Sequence, residues 1–213
     1  MKVAILDYGL GNLFSIDQAC KYVGFDTIIT SDEIIIGNAD ALILPGVGAF
    51  GDAMNYLNKS NLIDPIHSFI NQGKPFLGIC LGMQMLFSES EEFGNHKGLD
   101  IIKGKIIKFP SKDKQMSIVK VPQIQWNTIS ENTDNLWNNN ILKGIPSNSF
   151  MHFVHSYYAL PENKSEILSF TEYADIYYAS SVIKNNVIGL QFHPEKSGNL
   201  GIKIYENWFN AIK

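Results

Sequence analysis

Residues 74–84 read Lys-Pro-Phe-Leu-Gly-Ile-Cys-Leu-Gly-Met-Gln: a short buried-strand pattern, then Gly-x-Cys-x-Gly, then an amphipathic helical pattern. Strand, sharp turn and helix in that order make a nucleophile elbow, here with sulfur at its tip. Gly78 and Gly82 let the strand and helix backbones close around a strained turn, so the Cys80 side chain is forced outward. At the head of the expected helix it would face the positive end of the helix dipole, where negative charge is favoured. Such a segment asks for a base to activate the thiol.

The candidate base lies near the C-terminus, in Gly189-Leu190-Gln191-Phe192-His193-Pro194-Glu195. Residues 187–192 read as a buried strand. His193 and Glu195 are two apart, so in extended chain they point to the same side. The carboxylate would accept a hydrogen bond from one imidazole nitrogen and leave the other free for the cysteine proton. Pro194 stiffens the pair. The second cysteine, Cys20, falls on the apolar face of an expected helix over 13–23 and reads as core.

Around these motifs the first half alternates strand and helix: strands over 3–6, 27–30, 41–44 and 75–79, helices over 13–23, 51–57 and 65–72. Asn12 is the expected N-cap of the first helix, and Gly73 ends the last. The alternation predicts an α/β fold with a doubly wound, mostly parallel central sheet flanked by helices and with ligands at the carboxyl ends of strands, where Cys80 falls. After Phe93 the spacing becomes hairpin-like, with strands over 101–109, 117–121, 150–158, 176–183 and 187–192 and a tight turn at Asn185-Asn186. This predicts an added antiparallel region. The stretch 132–140 reads as a surface loop, the acids Glu89, Glu91 and Glu92 as a solvated helix end, and 197–212 as a closing helix. The whole chain, 1–213, reads as one domain.

Composition narrows the function class. A net charge of −4 argues against a phosphate-backbone footprint, so no nucleic acid is expected. Two cysteines outside any CxxC argue against a disulfide framework or zinc site and fit a reducing cytoplasm. The apolar run at residues 1–7 is too short for a signal peptide, and no stretch reaches membrane length. Gly46-Val47-Gly48-Ala49-Phe50-Gly51 is formally a G-x-G-x-x-G after a strand. The acid that a dinucleotide site needs about twenty residues on is missing, and the window 66–72 reads as helix. Beside a nucleophile, such a loop is better suited to aiming backbone N–H groups at an oxyanion.

Taken together, Pro45-Gly46-Val47-Gly48, Gly78–Gln84 and His193-Pro194-Glu195 resemble, in this chain order, the oxyanion strand, cysteine elbow and His–Glu pair of class I glutamine amidotransferases. Finer features resemble the glutaminase subunits of imidazole glycerol phosphate synthase: Asp7-Tyr8-Gly9-Leu10-Gly11-Asn12, Met83, Val121-Pro122…Trp126-Asn127 and Phe153-Val154-His155-Ser156-Tyr157. The chain departs from that pattern at Gln123-Ile124-Gln125, where His-Met-Gly is usual.

The resemblance implies a glutaminase. Cys80, His193 and Glu195 would be catalytic. Val47, Gly48 and Leu81 would supply the oxyanion donors, and Gly46, Gln84, His155, Ser156 and Tyr157 would hold glutamine, although His155 reads equally well as a structural histidine. Neither a metal nor an organic cofactor is implied. Ammonia would pass to a cyclase subunit of (β/α)₈ fold in a heterodimer, with Asn12, Gln123, Trp126, Asn127 and Lys196 at the interface. The acceptor pathway would be histidine biosynthesis. The alternatives are a related subunit supplying ammonia for an amidino-sugar of a surface polysaccharide, a different cysteine enzyme of related fold, and a catalytically inactive binding subunit.

Overall fold

The computed structural model describes residues 1–131 and 136–212. Its elements run β1 (Lys2–Leu6), α1 (Leu13–Tyr22), β2 (Asp26–Thr30), α2 (Glu33–Asn38), β3 (Ala41–Leu44), α3 (Phe50–Lys59), α4 (Ile63–Asn71), β4 (Phe76–Ile79) and α5 (Leu81–Gln84). The second half runs β5 (Phe87–Ser90), β6 (His96–Lys97), β7 (Ile102–Lys108), β8 (Gln123–Glu131), β9 (Ser149–His155), β10 (Tyr157–Pro161), β11 (Ile167–Tyr173), β12 (Ile176–Lys184), β13 (Val187–Leu190) and α6 (Gly198–Ile212).

The strands form one mixed sheet. Its parallel part has the order β2-β1-β3-β4-β13. β12, β10 and β7 then continue it antiparallel, and β5 and β6 close the far edge. β11, β8 and β9 branch off as an antiparallel ribbon. The pairing that matters most for the site is β13 beside β4, with Leu190 opposite Ile79. It sets the residues after both strands side by side.

β1, β3 and β4 are apolar on both faces because both faces are covered, as a parallel sheet requires. Val3, Ile5, Ile43 and Ile79 pack with Ile16 and Cys20 of α1 and Ile204 and Trp208 of α6. Ala4, Leu6, Leu44 and Phe76 pack with Phe50, Leu57, Ile66 and Phe69 of α3 and α4 on the other face. Each fully buried Leu, Ile or Phe contributes roughly 1.5–3 kcal/mol, so two such layers hold the strand ends rigidly.

The structure departs from the sequence-based expectations at several places. The helix after Cys80 is a single turn, α5, and residues 81–87 are all buried. With no solvent face to present, the chain extends at once into β5. Asn12 stands at the N-cap of α1 without a side-chain capping bond. α2 was not foreseen, because Ile34-Ile35-Ile36 suits a strand. Asp32 decides otherwise, its carboxylate accepting from the Ile34 and Ile35 N–H groups.

Residues 117–121 form no strand; only an isolated bridge joins Lys112 and Ile118. The expected strand over 150–158 breaks at Ser156 into β9 and β10, which pair with different neighbours. β8 and β11 were likewise not anticipated. The acids at 89–92 are no helix end: Glu89 lies in β5 paired with Lys105, and Glu92 is buried. Of the loop expected over 132–140, residues 132–135 lie outside the described residues. Leu136–Asn139 is a 3₁₀ turn with Trp137 buried, its Nε1–H donating to the Leu168 carbonyl at 2.7 Å. The turn at Asn185 is present, with φ +53°.

Candidate active site

Cys80 adopts φ +55° and ψ −112°, a strained conformation for a residue with a side chain. Its N–H donates to the Leu190 carbonyl at 2.7 Å, and its carbonyl accepts from Gln84 N–H at 3.1 Å. One bond ties the elbow to β13 and the other to α5, so the strain is held from both sides. Gly82 makes the turn possible. A Cβ there would run into the Leu44 carbonyl oxygen. Gly46 is equally confined, since a Cβ would lie 2.8 Å from Gly82 N and 2.9 Å from Tyr8 Oη. The Tyr8 hydroxyl donates to the Pro45 carbonyl at 2.8 Å and fixes the loop from beneath. The glycine-rich segment 46–51 thus wraps the elbow. Gly51 serves packing, because a Cβ would meet the His96 ring.

His193 and Glu195 follow β13. They meet through a 3₁₀ turn, Pro194–Lys196, not through the extended geometry expected from their spacing. Nδ1 of His193 lies 2.8 Å from Oε1 of Glu195. Burial disfavours the imidazolium, but the charge and hydrogen bond of Cys80 and the hydrogen bond and charge of Glu195 outweigh it. Together they push His193 up to about 10. With Nδ1 committed to the carboxylate, Nε2 remains for the sulfur.

Thiol and imidazole open on a cavity of about 280 Å³. Val47, Gly48, Leu81, Gln84, His155, Ser156, Tyr157 and Lys196 also line it. Gly46 stands directly behind the elbow and Glu195 behind His193. Sequence-based reasoning therefore identified most of the wall. It missed Glu92, the one acid in the lining, whose Oε2 accepts from Phe50 N–H at 2.6 Å. It also missed Val154, whose carbonyl is 3.7 Å from Cys80 Sγ, and Gln191, whose Nε2 lies 3.7 Å from the same sulfur. Gln191 sits inside the motif already read, one residue beyond the end of β13.

The expected interface residues divide. Lys196 is exposed at the cavity, Trp126 is 51% exposed, and Asn12 and Asn127 are half-buried. The Asn127 Nδ2 donates to the Glu172 carbonyl at 2.8 Å. Gln123 is not a surface residue: it is fully buried beside Tyr178. The inward phase of β8, where Gln123 faces His155 across the ladder, puts it there. His155 is itself buried. Its Nδ1 faces the Tyr157 carbonyl at 2.8 Å, and burial pushes it down to about 4.

Among the described residues no group of His, Cys, Asp and Glu is placed to hold a metal ion, and no helix is long and apolar enough to cross a membrane. What the site offers is proton transfer from sulfur to a held imidazole, and attack by sulfur on a carbonyl carbon.

The family model for class-I glutamine amidotransferases matches residues 4–212. The imidazole glycerol phosphate synthase subunit HisH of Aquifex aeolicus is 45% identical over 212 residues, spanning 98% of this chain and 96% of that protein. The corresponding subunit HisH 1 of Legionella pneumophila (strain Paris) is 48% identical over 210 residues, spanning 97% of each. The structure of PurLQS from Thermotoga maritima superposes with a TM-score of 0.75 at 16% identity, covering 100% of this chain and 99% of that one, a likeness of fold. The chain belongs to the class-I glutamine amidotransferases, and within them to the HisH subunits of imidazole glycerol phosphate synthase.

Proposed function

We propose that the chain, as a single glutaminase domain over 1–213, hydrolyses glutamine at Cys80 and hands the ammonia to a cyclase subunit of (β/α)₈ fold. His193 Nε2 takes the thiol proton while Glu195 holds Nδ1–H. The sulfur attacks the side-chain carboxamide carbon of glutamine. The oxyanion is met by backbone N–H groups of Leu81 and of the Val47–Gly48 peptide. The imidazolium returns its proton to the leaving nitrogen, releasing ammonia and a γ-glutamyl thioester. Water, deprotonated by His193, then cleaves the thioester to glutamate. Gln84 and the backbone of 155–157 hold the substrate, and Glu92 offers a carboxylate for its α-ammonium group. The observation that carries this reading is the strained Cys80 turned toward a buried His193–Glu195 pair in one cavity.

Ammonia free in water would be protonated and diluted, so the acceptor site must dock against this one. Outward-facing Ile124, Trp126 and Phe150 of β8 and β9, exposed by 63%, 51% and 59%, adjoin Val154 in the cavity wall and offer an apolar face for that partner. The product pathway is histidine biosynthesis, and the compartment is the cytoplasm.

The test is Cys80→Ala in a complex with the cyclase. Glutamate release should fall at least ~10³-fold while synthesis from added ammonium continues. Loss of both activities in an assembled complex would refute the division of labour.

A further inference from the structure

Three buried groups outside the catalytic trio form a chain whose proton order can be worked out. His155 Nδ1 lies 2.8 Å from the Tyr157 carbonyl, which can only accept, so Nδ1 carries the proton. The ring is 6% exposed and held neutral by burial, so Nε2 carries a lone pair. Its neighbour at 3.2 Å is the Tyr178 hydroxyl. Tyr178 must therefore spend its single proton on His155. Its oxygen then faces Gln123 Oε1 at 3.0 Å, two acceptors in contact, while Gln123 Nε2, fully buried, has no partner among the described residues.

Exchanging the amide oxygen and nitrogen, which are nearly the same size, removes the conflict: Nε2–H donates to Tyr178 Oη. The Thr171 hydroxyl also reaches Tyr178, and it can send its own proton to the Thr128 carbonyl at 2.9 Å or to the second lone pair of Tyr178. Either choice leaves the order intact.

The chain ends where substrate is held. The Tyr157 carbonyl that receives His155 Nδ1–H also accepts from Gln84 Nε2 at 2.9 Å. That nitrogen donates to Gln191 Oε1 at 2.9 Å, and Gln191 Nε2 faces Cys80 Sγ. We propose that Gln123 is a positioning residue for glutamine binding: its amide N–H, through Tyr178 and His155, fixes the Tyr157 carbonyl against which Gln84 is aligned in the cavity. The proposal rests on the glutaminase reading of this site.

The test uses the full-length chain in complex with its cyclase. Gln123→Leu keeps the volume and removes the donor. KM for glutamine should rise about tenfold, the effect of one buried hydrogen bond, with kcat within about twofold. Tyr178→Phe should do the same, and the double variant should be no worse than either single. Gln123→His, which keeps an N–H donor, should restore KM. An unchanged KM, or additive losses, would overturn the proposal. Should Gln123→Leu fail to fold, ¹⁵N chemical shifts of His155 in the unaltered protein decide: protonated Nδ1 with bare Nε2 is expected, and the opposite tautomer overturns it. The NMR readout does not depend on turnover, so a chain that released no glutamate would sink the glutaminase reading separately.

Discussion

His193 Nδ1 lies 2.8 Å from Glu195 Oε1, and the two side chains are only 5% and 0% exposed. The pair is therefore shielded, and the second carboxylate oxygen, Oε2, has no hydrogen-bond partner among the described residues. The Glu195 charge is compensated chiefly by the imidazolium beside it. The same contact orients the imidazole and, after Cys80, adds to what holds it protonated.

Glu195→Gln should keep the ring roughly in place, since an amide oxygen still accepts from Nδ1–H, but it removes the charge. Glutamine turnover should fall about 10²–10⁴-fold. A histidine held above its ordinary value of 6.5 contributes stability that is full below pH 6.5 and is lost as pH rises through about 10. The stability advantage of the unaltered chain over the variant should accordingly shrink between pH 7 and 10. Denaturant melts of both proteins across that range measure it. An advantage that grew with pH would contradict this account of His193.

His155 predicts the opposite limb. It is buried neutral and stays so down to about pH 4, whereas in the unfolded chain it takes a proton near 6.5. Its contribution is complete above 6.5 and disappears as pH falls through about 4. The gap corresponds to roughly 3 kcal/mol. Other groups also titrate in acid, so the measurement is a comparison. His155→Asn should lose less stability than the unaltered chain between pH 7 and 4, and parallel losses would refute the assignment.

Gly82 and Gly48 should respond differently to alanine. At Gly82 a methyl group meets the Leu44 carbonyl and the Pro45 backbone, which cannot move aside as a flexible side chain could. A cost of about 3 kcal/mol or more, or failure to fold, is expected. Gly48 has φ +98° but open space around a Cβ, so only backbone strain of about 1–2 kcal/mol opposes the change. Because Gly48 belongs to the candidate oxyanion loop, its alanine variant should fold and yet lose activity. Thermal melts with glutamate-release assays on both variants separate the two cases.

The chain should rescue histidine auxotrophy in a strain lacking its HisH subunit when supplied with its own cyclase, and Cys80→Ala should not rescue without added ammonium. Gln125, exposed beside Trp126, should tolerate change to Gly with no loss of growth. Failed rescue despite a soluble complex that releases glutamate would redirect the acceptor pathway.

Much of this site is legible in the sequence. Cys80 was readable because a strand, two glycines and a helical pattern are all local, and the short apolar runs of β1, β3 and β4, 5, 4 and 4 residues long, announce strands covered on both faces. His193 and Glu195 were legible as a pair, although the 3₁₀ turn that joins them was not, since spacing alone favours neither it nor an extended segment. Glu92 was misread because an acid in an acidic run is usually solvated. Its role as acceptor for Phe50 N–H depends on a residue far away in sequence.

Local pattern by itself determined the elbow with Cys80 at its tip, the parallel half of the sheet and the family. Tertiary structure alone decided which residues share the cavity. The pairing of β13 with β4 brings His193 to Cys80, and the break at Ser156 turns β9 and β10 to different neighbours. The inward phase of β8 moves Gln123 from the surface to the Tyr178–His155 chain. Hydrophobic period records how much of a strand is buried, not which strand lies beside it; that choice is made by packing across the whole sheet.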